Sequence, residues 1–220
     1  MLFRSAASVT TVSALLLTTA VAAAIATVAA DLKGRLVAAR IFRPAAMAAA
    51  ILLATVRPAA TPESYRLFIV AGLTASLVGD IFMMLPKKKF TAGLVAFLVA
   101  QFLYAAAFLR AGTGRVEIMT ALPLLIYAFF IMRTLFPHLG SWKAPVTVYV
   151  LVITVMAGLA VQRYIDVGGT LALFALIGAI FFVASDTILA VNRFVKKIPL
   201  AQFYILGTYF TAQILLALSV

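Results

Sequence analysis

Of 220 residues, 65% are hydrophobic and only 11% are charged. A soluble domain needs roughly a quarter charged residues to cover its surface, so this composition, with a mean hydropathy of +1.17, selects the bilayer as solvent. The absence of cysteine excludes disulfides, zinc–thiolate centres and thiol nucleophiles, and the net charge of +12 does not read as nucleic-acid binding, because the cations punctuate apolar runs instead of sharing a soluble face.

A spanning helix takes about 20 mostly apolar residues. Eight runs qualify: 8–30, 36–56, 65–85, 90–109, 118–136, 144–161, 170–191 and 199–219. The stretches between them, such as RPAATPES, PKKK, RAGTGRVE, PHLGSWK and QRYIDVGG, carry the prolines, glycines and charges of turns. The prediction is all-α: a polytopic bundle in one membrane domain over 1–220, with consecutive helices antiparallel. The first run, with its basic start MLFR and small residues before Asp31, resembles a secretory signal. Its apolar stretch is longer than a signal's core and reads as a retained helix.

The second run carries Arg43 beside Pro44. The third, SLVGDIFMML at its end, sets Gly72, Ser76 and Asp80 four apart on one small, polar stripe. On the fourth, Gly93, Phe97, Gln101 and Tyr104 share a face; the sixth brings Tyr149, one turn in. The seventh holds Ser185 and Asp186 in FVASDTILAVNRFVKK, and the eighth aligns Gln202, Leu206, Tyr209 and Gln213. The lone histidine, His138, falls in a connection without the company a metal site needs, and neither a phosphate-binding glycine loop nor a serine elbow is present. No metal and no cofactor is implied.

Cations orient the bundle. Connections after runs 1, 3, 5 and 7, with the adjoining run ends, hold Lys33, Arg35, Arg40, Arg43, Lys87, Lys88, Lys89, Arg133, Lys143, Arg193, Lys196 and Lys197. The opposite side has Arg4, Arg57, Arg66, Arg110, Arg115 and Arg163, so the first side is expected in the cytoplasm. Asp80 and Asp186 then lie at one depth, roughly 8 Å inside the cytoplasmic boundary. They also sit about half a chain apart in similar settings, which suggests parallel repeat halves 1–112 and 113–220. An ionised carboxylate in hydrocarbon costs several kcal/mol, so both acids should turn inward to one cavity. The bland counterparts are an ion pair with Arg43 or a lysine for the aspartates, and interhelical hydrogen bonding for Gln202, Gln213 and Tyr104. A proton-coupled transporter would use the same intramembrane acids, and a lipid-binding scaffold would need no turnover.

RPAAMAAAIL at 43–52, SLVGDIFMML, FTAGLVAFLVAQFLY at 90–104, PVTVYVLVITVM at 145–156, FFVASDTILAVNRF at 181–194 and ILGTYFTAQILLALS at 205–219 together resemble the YhhN-like lysoplasmalogenase family. The resemblance implies an eight-span membrane enzyme that hydrolyses the vinyl-ether bond of lysoplasmalogens to a fatty aldehyde and a glycerophospho-base. It implies that Asp80 and Asp186 are the catalytic acids, and Gln101 stands where a histidine is expected in many members. The chemistry agrees with the residues. Protonating the β-carbon of a vinyl ether leaves an oxocarbenium ion, as in glycoside hydrolysis, where two carboxyl groups suffice. A lysophospholipid lying in the cytoplasmic leaflet of a bacterial inner membrane would bring this bond near the aspartates. Arg43 is then the expected phosphate contact, with Ser76, Gln101, Tyr104, Tyr149, Ser185, Gln202, Tyr209 and Gln213 lining the site.

Overall fold

The computed structural model describes residues 2–58, 60–85, 89–112 and 117–220, and the side chains among them except those of residues 2–7, 118 and 119. Lys87, Lys88, Arg115 and the Arg4 side chain, all used in orienting the chain, lie outside what is described. Among the described residues there are eight α-helices: α1 Leu2–Leu32, α2 Leu36–Val56, α3 Glu63–Met84, α4 Phe90–Arg110, α5 Ile118–Leu135, α6 Lys143–Val167, α7 Gly169–Ala190 and α8 Ala201–Leu218. Each is long and apolar enough to cross a membrane. The protein is an all-helical integral membrane protein.

The end of α6 differs from expectation. The stretch QRYIDV continues α6 instead of forming a turn, because Gln162 donates to Asp166 one turn on, at 2.8 Å, and Arg163 is buried with its guanidinium 4.4 Å from the Tyr65 ring centre. The helix ends only at Gly168, whose φ of 65° suits glycine. In the connection PHLGSWK the chain makes two 3-10 turns, Phe136–His138 and Gly140–Trp142.

Helices adjacent in sequence pack together, except that α4, after α3, packs chiefly on α6; α8 closes the bundle against α1, α2 and α7. Large apolar side chains such as Leu15, Leu67, Phe102, Phe129 and Val155 face outward, as lipid solvent permits. The interior is built from small residues that bring backbones close. Gly72 faces the Tyr104 ring and Gly79 the Phe97 ring so tightly that a Cβ would fall 2.4 and 2.9 Å from them. α3 and α4 therefore meet glycine against ring. Phe97, Tyr104, Phe182 and Tyr209 pack edge to face with centroids 5.8–6.4 Å apart, joining α4, α7 and α8.

Candidate active site

The ring cluster fixes Tyr209, which holds one of the two acids. Asp80, near the end of α3, is 3% exposed and accepts a hydrogen bond from the Tyr209 hydroxyl of α8 at 2.7 Å. The Arg43 guanidinium of α2 lies 3.9 Å from its other oxygen. Asp186, at the same level of α7, is half-buried and accepts from the Tyr149 hydroxyl of α6 at 2.6 Å and from the Gln101 amide of α4 at 3.1 Å. Each carboxylate is thus gripped from a different pair of helices. One has a cation beside it; the other has only neutral donors.

Both aspartates line one cavity of about 400 Å³, together with Arg43, Ser185, Gln202 and Tyr209. Lys197, Asn192, Arg40 and Asp31 also line it, so it opens at the end of the bundle that carries the connections after α1, α3 and α7. Asp186 borders a second, apolar cleft of about 50 Å³ between α4, α5, α6 and α7, lined by Ile131, Val150, Ile153 and Val183.

The remaining expected residues divide in three. Gln101 and Tyr149 are in direct contact with Asp186, as described. Ser76, Tyr104 and Gln213 form a buried chain of their own: the Tyr104 hydroxyl donates to Gln213 at 2.7 Å and lies 3.4 Å from Ser76. The other amide atom of each glutamine, Oε1 of Gln101 and Nε2 of Gln213, is buried without a protein partner, a capacity that water or substrate would use. Ser185 turns aside and donates to the Ile205 carbonyl at 2.9 Å, tying α7 to α8, while Gln202 is exposed at the cavity mouth. Residues that sequence reasoning passed over are Tyr127, whose hydroxyl bonds Thr187 next to Asp186, and Asn192. Asn192 was legible as the polar, uncharged residue immediately ahead of the RFVKK run; Tyr127 gave no periodic signal.

Two carboxyl groups in one cavity, one facing a cation and the other neutral donors, are suited to delivering a proton and steadying a developing positive charge. The model of the YhhN family matches residues 38–220. Lysoplasmalogenase TMEM86A of Homo sapiens is 37% identical over 169 residues, covering 73% of this chain and 67% of its own length. The Bos taurus protein of the same name is 33% identical over 163 residues, 72% of this chain and 66% of its own length. A lysoplasmalogenase of Mycobacterium tuberculosis is 27% identical over 175 residues, 76% and 65% respectively. The match thus spans about two thirds of the length of these curated relatives. No solved structure matches. A family model running from early α2 to the end of α8, over all the helices that hold the aspartates and their partners, places the chain in the YhhN family.

Proposed function

We propose that this chain is a membrane hydrolase that cleaves the vinyl-ether bond of a lysoplasmalogen, giving a fatty aldehyde and a glycerophospho-base. The observation that carries the reading is the convergence of Asp80 and Asp186 on one cavity, each held by a tyrosine hydroxyl. The relatives named lysoplasmalogenase support the same substrate class.

One carboxylic acid transfers its proton to the β-carbon of the vinyl ether, and the double-bond electrons form the new C–H bond. The oxocarbenium ion that results lies beside the other, ionised carboxylate. Water adds to the cationic carbon and loses a proton to a carboxylate. The hemiacetal then collapses: its hydroxyl proton passes to the departing glycerol oxygen as the C–O bond breaks. Atoms and charge balance without an oxidant, a metal or a covalent nucleophile. Tyr149, Tyr209 and Gln101 orient the carboxylates, and Arg43 balances the charge of Asp80.

The cation excess at the cavity's end of the bundle supports a site facing the cytoplasmic leaflet. A cavity at one end rather than at mid-membrane gives no support to a transport role. The test is aldehyde release from a lysoplasmalogen by the purified protein. Asp80→Asn and Asp186→Asn should each lower it by about 10²–10⁴-fold while the protein elutes as one folded species. Wild-type protein that releases no aldehyde would overturn the reading, and an active Asn variant would remove that aspartate from the chemistry.

A further inference from the structure

At the cavity mouth the end of α7 widens into a π-turn, Val191–Val195, whose wider ring is closed by the Lys196 N–H donating to the Val191 carbonyl at 3.0 Å. Such turns re-aim the side chains that follow, and they recur at functional sites. Here Asn192 fixes the exit, its Oδ1 accepting the Ile198 N–H at 2.9 Å. Arg193 is thereby laid over Phe90, its guanidinium carbon 4.1 Å from the ring centre. A guanidinium stacked by its face keeps its N–H edge free for a bidentate partner.

Arg193, Lys197 and Asp31 all line the cavity that holds the two aspartates. Arg43 is already turned to Asp80. Among the described residues neither Arg193, Lys197 nor Asp31 makes an ion pair. The mouth therefore offers one cation from the π-turn, a second just after it and one acid from the end of α1, with Arg40 adding to the positive field.

We propose that this mouth is a headgroup subsite for a zwitterionic single-chain phospholipid. Arg193 takes the phosphodiester in fork geometry, Lys197 adds a point charge to it, and Asp31 takes the terminal ammonium. The phosphate thus goes to the π-turn rather than to Arg43. The inference leans on the hydrolase reading only for placing the scissile bond, since recognition of the headgroup needs no reaction.

Trp142 is the single tryptophan, and its ring centre lies 5.5 Å from that of Phe90, the ring under Arg193, so its fluorescence reports on the mouth. The full chain in neutral detergent is titrated with a saturated alkyl-ether lysophosphoethanolamine, which has no vinyl bond to cleave. Parallel titrations use the corresponding alkylglycerol, the alkyl lysophosphatidic acid and water-soluble glycerophosphoethanolamine. Arg193→Gln and Lys197→Gln should each raise the Kd of both phosphate-bearing lipids about tenfold and leave the alkylglycerol unchanged. Asp31→Asn should weaken only the ethanolamine lipid. The soluble headgroup should bind far more weakly than the lipid; equal binding would make this a site for a free phosphodiester and overturn the lipid assignment. Lys197 is exposed, so its variant stands in should Arg193→Gln not fold. Unchanged affinities, or equal losses for the alkylglycerol, overturn the subsite. Phosphate-selective binding without aldehyde release would sink the hydrolase reading alone, and aldehyde release with headgroup-blind binding would sink the subsite alone.

Discussion

Tyr149 and Tyr209 perform one task from different helices: each hydroxyl donates a hydrogen bond to an aspartate oxygen, at 2.6 and 2.7 Å. A hydrogen bond to a charged group contributes about 1.5–3 kcal/mol. Tyr149→Phe and Tyr209→Phe keep the ring contacts and remove only that bond, so kcat for aldehyde release should fall roughly ten- to hundredfold with little loss of thermal stability. A drop confined to KM would show that the tyrosines bind substrate instead of orienting the acids. The aspartates were legible because a carboxylate in an apolar run has few affordable places to point. Arg43, Gln101, Tyr149 and Tyr209 were legible as site candidates, but which of them holds which aspartate was not. Gln213 follows Tyr209 on one helical face and was a candidate for the same site, yet it reaches Tyr104 because α8 meets α4 at that height. Helical spacing gives the face a residue is on, and the neighbour across it comes only from packing.

Among the elements, α7 and α8 meet closely at Gly178, where a Cβ would sit 3.1 Å from the Ala212 carbonyl oxygen and 3.1 Å from Leu216. Gly207 of α8 would meet nothing within 4 Å. The two glycines therefore make a matched test. Gly207→Ala should stabilise the protein by about 1 kcal/mol through helix propensity. Gly178→Val should destabilise it by about 1–3 kcal/mol through overpacking. Thermal unfolding in detergent should move in opposite directions for the two, and a shift of the same sign would deny α7–α8 this contact. Helix existence was readable from run length, and α2 matches its expected bounds, residues 36–56. The end of α6 was misread because charge looks like a turn in sequence, whereas Arg163 is covered by an aromatic ring and Gln162 is tied along the helix.

For the whole molecule, the distribution of lysine and arginine predicts which end faces the cell interior. The chain has no cysteine, so single-cysteine variants give a clean readout. On intact cells a membrane-impermeant maleimide should label Arg66→Cys and spare Lys143→Cys; the reverse pattern would invert the proposed orientation of the cavity. The order of helices along the chain did not reveal that α4 turns to α6, because composition makes every lipid-facing surface alike. The apolar cleft beside Asp186 is lined by Ile131, Val150, Ile153 and Val183 from α5, α6 and α7. Under the hydrolase reading, a lipid tail set against this lining would meet mostly hydrocarbon, which attracts without direction. Turnover should then be nearly blind to tail length and unsaturation. On that reading the aldehyde would leave along hydrocarbon, while the water-soluble product would depart by the open mouth.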